Sequence, residues 1–474
     1  MSRPPITAEQ LSALPPEFQA LLRSVIEYYE ARIAVLESRI AELEGRVGKT
    51  PQNSSLPPST QHPHAKPAPP RAKSKQKRGG QPGHAKHERP LLPTDQCDEV
   101  QKLKPAECRR CGTKLSGRDP APLRHQVWEV PPIRPHVTEY QRHRLRCRRC
   151  GETTCAALPA GTSTGQAGPR LVALTALLMG CFRLSKARTA LFLSTILNQP
   201  CSTGWVVKLQ HQATAALRPA YDELATALPR EPTLAIDETP SKEGNAKTWL
   251  WTYVAPTFTV FALRPTREAS GVTDLLGDDF QGVAHCDRAR MYWALPRLQW
   301  CWAHLKRDFQ ALIDSGDHQA KRLGHDLMRP TRRLFQLWAR YRGGKITRRG
   351  WQRLMRPIRD QINGLLLRGV FGGNRRFVGM CRELYDHRHR LWMFLDMEGV
   401  EPTNNASERA LRHAVIWRKL SFGTQSTAGS RFVETILTIV ETCRQQARSA
   451  FEFLTAALEA RFEHHTAPSL LTGP

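Results

Sequence analysis

The sequence is poor in acidic residues and contains no long hydrophobic run. Its 474 residues include 43 Asp and Glu against 70 Lys and Arg, so the formal charge is +27 and the pI is near 10.1. A field of this sign favours a polyanionic partner, nucleic acid above all, with an anionic membrane surface as the weaker alternative. Because no run of 18 apolar residues occurs, we predict no transmembrane helix and no membrane partner.

The N-terminal residues MSRPPITAEQLSALPPEF lack the apolar core of a signal peptide, so we expect a cytoplasmic protein. Twelve cysteines in a chain of this length do not indicate a secreted disulfide scaffold. In a reducing compartment, paired cysteines more often bind metal. The length allows two to four domains and at least one large core.

The first segment, residues 1–47, is predicted to be an N-terminal helix. Apolar residues between 18 and 47 alternate steps of four and three, the 3.5-residue period of a coiled coil: Leu22, Ile26, Tyr29, Ile33, Leu36, Ile40, Leu43 and Val47. This stripe predicts a homo-oligomer formed through residues 18–47. The alternative is a helix that packs on its own chain.

Residues 48–92 are rich in Pro, Ser, Lys and Gly and have almost no large apolar side chain, which predicts a disordered linker. Lys75, Lys77 and Arg78 make this linker basic, so it could neutralise DNA phosphates without reading sequence. A solvated spacer is the alternative, and both descriptions can hold together.

Residues 93–160 contain two copies of the motif CRRC, with Cys108 and Cys111 in one and Cys147 and Cys150 in the other. Two such pairs can supply the four thiolates of a tetrahedral Zn²⁺ site, although the 35 residues between them exceed the usual finger spacing. A zinc ribbon with an inserted hairpin fits this pattern, and a redox role is the minor alternative. Cys97 and Cys155 lie close enough in sequence to replace a ligand.

Residues 161–230 are predicted to be helical, with a turn at Asn198 and Pro200 and a second helix capped by Ser202 or Thr203. The pattern is compatible with a DNA-binding helix-turn-helix, and equally with an ordinary helical hairpin.

From residue 231 the pattern changes to strands in the order β-β-β-α-β-α. Asp237 ends the first strand and Asp287 ends the fourth. This order describes a ribonuclease H-like sheet, in which those two strands are neighbours. We therefore divide the rest of the chain into a first core part (231–305), a basic helical insertion (306–400), a last core part (401–460) and a tail (461–474), which makes the whole a multidomain α+β protein.

Paired carboxylates on neighbouring strands repel each other unless divalent cations lie between them. Mg²⁺, or Mn²⁺ in its place, suits such oxygen ligands and the phosphates of a nucleic acid. Glu408 is the natural third ligand, at the start of a predicted helix. The alternative is that Asn405 and Glu408 form a capping box, and the residues alone do not separate these readings.

The helix that carries Glu408 continues with basic residues predicted to contact DNA phosphates: Arg409, Arg412, Arg418 and Lys419. Cys301 and His304 have a C-x-x-H spacing that could form half a metal site, but without a second pair in the sequence a packing role is favoured. Glu238 could replace Asp237, although adjacent strand positions face opposite ways. Tyr292 as a nucleophile is a weak alternative.

Several blocks together resemble the DDE transposases of the insertion sequence sixty-six family. They are NSSLPPS, GGQPGH, the two CRRC motifs, DETP with WLW, CD followed by Tyr, CWAHLKRDF, and NNASERALR with RK and FG, in family order over most of residues 50–425. The residues between Asp287 and Tyr292 depart from the family, which more often has a small residue and tyrosine there.

The resemblance implies an acidic triad of Asp237, Asp287 and Glu408 and magnesium-dependent cleavage and joining at the inverted-repeat ends of a bacterial element. It also implies DNA partners, both element ends and target, and accessory proteins encoded by the same element. The alternative is a non-catalytic zinc-containing DNA-binding protein, either a decayed transposase or a repressor. That alternative explains the charge and the cysteines, but not three acidic residues at strand and helix ends.

Overall fold

The computed structural model describes residues 13–47, 53–54, 90–372 and 374–471, without the side chains of 37–47 and 376. The described residues fall into two compact units, one within 1–63, 139–191 and 201–474 and the other within 64–138 and 192–200. Most of the predicted linker, including Lys75, Lys77 and Arg78, lies outside the described residues.

Helix α1 (Pro16–Val47) forms where the heptad pattern predicts a helix. Within its described part, Ile26, Tyr29, Ile33 and Leu36 are all exposed. Up to residue 36, the apolar stripe is therefore not buried against its own chain. The rest of the stripe, from Ile40 to Val47, lies outside the described side chains.

A small antiparallel pair follows, β1 (Arg144–Arg146) with β2 (Thr153–Cys155). Three helices come next: α2 (Pro169–Gly180), α3 (Lys186–Ile196) and α4 (Thr203–Ala227). The Ser202 hydroxyl accepts a hydrogen bond from the Trp205 N–H, so the predicted cap of α4 is confirmed. The sequence pattern missed the break between α2 and α3, where Arg183 has a positive φ of 61°.

A five-stranded mixed sheet forms the centre of the larger unit. Its elements in chain order are β3 (Thr233–Glu243), β4 (Ala246–Val254), β5 (Thr259–Arg264), helix α5 (Ser270–Leu276), β6 (Val283–Cys286) and β7 (Leu298–Trp300). The strand order is β5-β4-β3-β6-β7, antiparallel among β5, β4 and β3 and parallel among β3, β6 and β7. The first and fourth strands of this sheet are neighbours, as predicted.

Strand β7 is absent from the sequence prediction, which ran this segment directly into a helix. It has only three residues, all buried, and pairs with β6 through Cys286 and Trp300. Three residues are too few to show a strand period, so only the sheet partner distinguishes them from the helix that follows.

Five helices separate β7 from the segment around Asn404: α6 (Trp302–Asp314), α7 (His318–Arg342), α8 (Arg348–Phe371), α9 (Arg375–Asp386) and α10 (His389–Asp396). The predicted insertion at 306–400 is thus helical. Each of the first three packs on the next along the chain, and α10 packs on β7, which ties this helical region to the sheet.

The chain then returns to the sheet through α11 (Asn405–Ser421), α12 (Thr427–Gln445) and α13 (Ala450–Phe462). α11 packs on β3 and β4, and α12 packs on β5. The tail is held as well, because Leu470 is fully buried and its carbonyl accepts a hydrogen bond from the Gln446 side chain. Among the described residues, none of the helices has the length and hydropathy needed to cross a membrane.

Helix α12 covers the free edge of β5 with side chains instead of a further strand. Its residues Glu434, Thr438 and Thr442, spaced by four, accept hydrogen bonds from the N–H groups of Leu263, Phe261 and Thr259 at 2.7, 2.9 and 3.1 Å. The spacing matches because outward N–H groups recur every second residue along a strand, about 6.8 Å, and four residues of a helix rise about 6 Å. Unpaired edge groups are both costly when buried and prone to pair with other chains.

The variant Thr438→Val tests whether the hydrogen bonds from β5 to α12 stabilise the fold. Valine keeps the shape of the fully buried Thr438 but leaves the Phe261 N–H without its acceptor, so the free energy of unfolding should fall by about 1–3 kcal/mol. Chemical denaturation followed by circular dichroism measures it. The control is Thr226→Val, which removes an exposed hydroxyl bonded within its own helix. Equal stability of the two variants would contradict the role of Thr438.

Candidate active site and zinc module

Asp237 lies within β3, which continues to Glu243, so the prediction that Asp237 ends its strand is wrong. Asp287 directly follows the neighbouring parallel strand β6. β3 pairs with β6 in a register that ends at Ala235 opposite His285, and Asp237 and Asp287 each follow two residues after that pair. Adjacent strands are about 4.8 Å apart, so the two residues lie near each other within the sheet. Their carboxylates are held locally: Asp237 Oδ1 accepts from the Glu238 N–H, and Asp287 Oδ1 accepts from the Ala289 N–H.

The electrostatics of Asp237 match this placement. Its pKa is raised well above the ordinary value, first by burial and then by the negative charges of Glu238 and Asp287, with a smaller contribution from Glu408. A carboxylate in this position is costly to ionise unless a cation lies beside it.

Asn404 places the start of α11 beside β3. Its side-chain amide donates to the carbonyl of Ile236, the residue before Asp237, at 2.8 Å. Its backbone N–H donates to Sγ of Cys301 at 3.2 Å, and the residue is almost fully buried. The capping-box interpretation is wrong, because Asn404 and not Asn405 is the N-cap and makes no side-chain cap bond. The Asn404 side chain binds the sheet instead.

Glu408 lies one turn into α11 with two basic neighbours from α6. Its Oε1 is 3.4 Å from the Arg307 guanidinium and 3.8 Å from His304 Nδ1. The ligand atoms of Cys301, His304 and Glu408 all lie within 4.8 Å of one another, and among the described residues no other group of three or more such side chains is that tight. The carboxylate oxygens of Asp237, Asp287 and Glu408 are therefore not all within 4.8 Å of one another.

Burial keeps Cys301 and His304 neutral. It raises the pKa of the Cys301 thiol to about 11. It also lowers the pKa of His304, with the positive charge of Arg307 acting in the same direction. Packing alone was favoured for this pair from the sequence. The fold adds Glu408, which lies over 100 residues away and which no local spacing could reveal.

Glu238 has a different partner set from Asp237. Its side chain is only 4% exposed, forms an ion pair with Arg267 at 2.6 Å, and accepts a short hydrogen bond from the Tyr292 hydroxyl. Tyr292 follows Asp287 in the chain, so Glu238 holds the loop after Asp287 against β3. This role was missed from the sequence because it depends on strand adjacency.

Arg288 and Arg290 occupy the stretch that departs from the family pattern. Arg288 forms ion pairs with Asp308 of α6 at 2.7 Å and Glu383 of α9 at 3.1 Å, and Arg290 reaches Glu383 at 3.5 Å. These contacts attach the loop after Asp287 to the helical region. The residues that depart from the family pattern therefore form ion pairs within this chain.

The basic residues of α11 divide into two kinds. Arg409, Arg412 and Lys419 are exposed, opposite the buried Ala410 and Ala414. Arg418 is instead engaged by its own chain, because its guanidinium donates to the Thr239 hydroxyl and to the carbonyl of Pro240.

Both cysteine pairs lie in the same local structure. In the first, the Cys108 N–H donates to the Thr113 carbonyl and the Gly112 N–H donates to the Cys108 carbonyl, both at 2.9 Å, inside a bridge between Glu107 and Lys114. Gly112 has a φ of +71°, which favours glycine after the second cysteine.

The second pair repeats the pattern between β1 and β2. The Cys147 N–H donates to the Glu152 carbonyl at 2.7 Å, the Gly151 N–H donates to the Cys147 carbonyl at 2.9 Å, and Gly151 has a φ of +76°. Each CRRC thus forms the tip of a tight hairpin. The two pairs belong to different compact units.

Hydrogen bonds favour the thiolate form at both tips. The Thr113 hydroxyl and N–H lower the pKa of Cys111, and the backbone N–H groups of Cys150 and Arg149 lower the pKa of Cys147. Thiolates held by backbone N–H groups are the ligands that a structural Zn²⁺ site requires.

The site combines Asp237 on β3 and Asp287 directly after the neighbouring β6, and two cysteine hairpins precede them in the chain. The comparisons with known proteins are more specific. The Transposase IS66 family matches residues 164–431, more than half of the chain, so the protein belongs to this family. The zinc-finger binding domain of transposase IS66 matches residues 105–151, which supports zinc binding, and a family of unknown function matches residues 4–90.

A curated relative adds little about activity. The chain is 26% identical over 258 residues to the uncharacterized protein y4qI of Sinorhizobium fredii (strain NBRC 101917 / NGR234). The matched stretch covers 48% of this chain and 45% of that relative, so the chain spans less than half of the relative's length.

Asp237→Asn should stabilise the metal-free protein at neutral pH. The unfolded chain ionises Asp237 near the ordinary pKa of 3.8, whereas the folded chain holds the proton to higher pH. Stability is therefore lost as pH rises above 3.8, and it stays low above the folded-state pKa. The variant removes this loss, so its Tm should exceed that of the wild type at pH 7–8, and the difference should shrink towards pH 4.

Thermal melts without added divalent metal, from pH 4 to 8, measure this difference. Asp279→Asn is the control, because Asp279 is exposed in the turn before β6. A variant less stable than wild type at pH 7, or a difference that does not change with pH, would show that Asp237 carries no electrostatic cost.

Proposed function

We propose that this protein is an active DDE transposase whose catalytic residues are Asp237, Asp287 and Glu408. The strand order of its sheet is the one expected of a ribonuclease H-like core. The observation that carries the proposal is the register of β3 and β6, which brings Asp237 and Asp287 near each other within the sheet. Asn404 adds Glu408 to the same region by joining the start of α11 to Ile236.

The donor set fits Mg²⁺ or Mn²⁺. All three residues offer carboxylate oxygens, the ligands that these cations prefer. Burial, and then neighbouring negative charge, raise the pKa of Asp237, and a divalent cation would offset both costs. When bound, such ions would stabilise the attacking and leaving oxygens of a phosphoryl transfer. Asp237 and Asp287 would hold the metal, and Glu408 would approach from α11.

Other side chains keep these ligands in place. Tyr292 and Glu238 hold the loop after Asp287 against β3, and Arg288 ties the same loop to α6 and α9. Arg307 provides the positive charge beside Glu408. The site therefore has a fixed aspartate pair and a glutamate whose present partner is a cation of the protein itself.

DNA would lie along the exposed side of α11. Arg409, Arg412 and Lys419 recur at helical spacing along about 15 Å of the helix, immediately after Glu408. Cations in this position can bind phosphates flanking the scissile bond without reading bases. Arg418 would contribute indirectly, by fixing the strand that carries Asp237.

The four cysteines would bind one structural Zn²⁺. Cys108, Cys111, Cys147 and Cys150 lie at two hairpin tips with matching backbone bonds, as in a zinc ribbon. The arginines within both CRRC motifs place positive charge beside the metal, which favours DNA as the ligand of this module.

Helix α1 would join two copies of the chain. Its described apolar stripe is exposed, with Tyr29 60% and Leu36 52% accessible, and exposure of such a stripe is costly in a monomer. A parallel or antiparallel coiled coil would bury it and would bring two catalytic sites to one pair of element ends.

Cleavage and strand transfer on DNA that flanks the coding region test the catalytic assignment. Wild-type protein should act only with Mg²⁺ or Mn²⁺, and Asp237→Asn should lose activity by about 100-fold or more, because a ligand to the charge-stabilising metal is removed. Gel assays with end-labelled DNA measure both steps, with Asp279→Asn as the matched exposed control. Full activity of Asp237→Asn would remove the triad assignment.

The salt dependence of DNA binding tests the α11 surface. Replacing Arg409, Arg412 and Lys419 together by Gln should weaken binding to all sequences and reduce the slope of log K against log[salt] by roughly 1 per residue. Fluorescence anisotropy over a range of salt concentrations measures the slope.

A second triple variant controls for net charge, with glutamine at three exposed cations on other elements: Arg230, Lys247 and Arg297. If both triple variants change the slope equally, the effect belongs to total charge, and α11 is not the DNA surface.

A further inference from the structure

Cys301, His304 and Glu408 form a side-chain cluster that the proposed magnesium chemistry does not explain. Cys301 is the N-cap of α6, directly after β7, and His304 lies in the first turn of that helix. Glu408 comes from α11, and the possible ligand atoms of the three residues lie within 4.8 Å of one another. We call this group the Cys–His–Glu cluster.

Backbone hydrogen bonds hold Cys301 on two sides. The Cys301 N–H donates to the carbonyl of Cys286, the residue before Asp287, at 2.9 Å. Its Sγ accepts the Asn404 N–H at 3.2 Å, and Cys301 is 1% exposed. A thiolate that accepts a backbone N–H is the usual state of a cysteine bound to metal.

His304 has a nitrogen that the protein does not use. Nδ1 is buried and has no hydrogen-bond partner, and Glu408 Oε1 lies 3.8 Å from it. Buried polar atoms without partners are rare, and each needs a reason. A metal ion between His304 and Glu408 would supply the missing partner of both.

The donor set selects the ion. Thiolate, imidazole and carboxylate together favour Zn²⁺ over Mg²⁺, which prefers oxygen alone. In a tetrahedral zinc site with bonds of about 2.0–2.3 Å, ligand atoms are roughly 3.4–3.7 Å apart. The present limit of 4.8 Å requires a contraction of about 1 Å, which side-chain rotation in His304 and the partly exposed Glu408 can provide.

The charges balance. Binding breaks the S–H bond of Cys301, forms an S–Zn bond and releases one proton to solvent, so thiolate and carboxylate together neutralise the ion. Glu408 then exchanges its ion pair with Arg307 for the metal, and Arg307 is released towards solvent. One ligand position of the ion stays open to water or phosphate, as in zinc sites with three protein ligands.

We propose that Cys301, His304 and Glu408 bind one Zn²⁺ separate from the four-cysteine module, and that this zinc inhibits the enzyme by withdrawing Glu408 from the magnesium site. The binding stands on the cluster geometry alone. The inhibition rests on the proposed function, because it requires Glu408 to serve as a magnesium ligand.

Zinc stoichiometry of the full-length protein decides the binding. Wild type should bind two equivalents, one in the four-cysteine module and one in the cluster. Cys301→Ala and His304→Gln should each bind one tightly and hold the second about 100-fold more weakly or not at all. Cys443→Ala is the control, since Cys443 is a buried thiol on α12 outside both sites.

Co²⁺ in place of Zn²⁺ gives a second readout. The Cys301 thiolate should add a sulfur-to-cobalt charge-transfer band that saturates with the second equivalent and is absent in Cys301→Ala. If that variant does not fold, His304→Gln, whose side chain is partly exposed, still decides the stoichiometry. One equivalent in wild type, or a second equivalent that persists in both variants, would overturn the proposal.

Activity separates this proposal from the proposed function. Micromolar Zn²⁺ added with excess Mg²⁺ should lower wild-type strand transfer at least 10-fold, and His304→Gln should lose most of that sensitivity. A protein inactive in Mg²⁺ alone would contradict the proposed function, while the stoichiometry would still stand. Two bound zinc ions with equal inhibition of wild type and His304→Gln would overturn the inhibitory role.

Discussion

The arrangement of this protein depends on Asn404. One amide side chain bonds the carbonyl of Ile236 on β3, and the backbone N–H of the same residue bonds the Cys301 thiol at the start of α6. These two bonds join three segments that are distant in sequence, and each segment carries a residue of the proposed metal sites. Because Asn404 is almost fully buried, neither bond can be exchanged for water without cost. The position of Glu408 relative to the sheet follows from it.

The sheet supplies the other fixed part. Parallel pairing of β3 and β6 brings Asp237 and Asp287 near each other within the sheet, and α12 closes the outer edge of β5 by accepting its hydrogen bonds. The aspartates are thus held by backbone geometry, whereas Glu408 is held by a helix start and has Arg307 and His304 as neighbours. This difference explains why one acidic residue can belong to two sets of ligands. In the proposed function it would complete an oxygen site with the aspartates, and in the proposed zinc site it would join Cys301 and His304 in a softer one.

Much of this could be predicted from the sequence, because the relevant patterns are local. Apolar runs that end in aspartate, at the first and fourth positions of a β-β-β-α-β order, predicted the neighbouring strands, and the repeated CRRC predicted zinc binding, which the zinc-finger family match supports. The failures share one cause, which is dependence on tertiary partners. The capping box was wrong because spacing alone cannot show that Asn404 bonds the sheet. Strand β7 is too short to have a period, and Glu238 acquires Tyr292 and Arg267 only once the sheet forms.

Anomalous diffraction from crystals grown with Mn²⁺ and a nucleic-acid end is the most direct test of the central claim, since manganese is visible at sites that magnesium would occupy. The account predicts an anomalous peak between the carboxylates of Asp237 and Asp287, with Glu408 turned from Arg307 towards it. A well-ordered structure with manganese elsewhere, or with Asp237 and Asp287 bound only to protein groups, would contradict it.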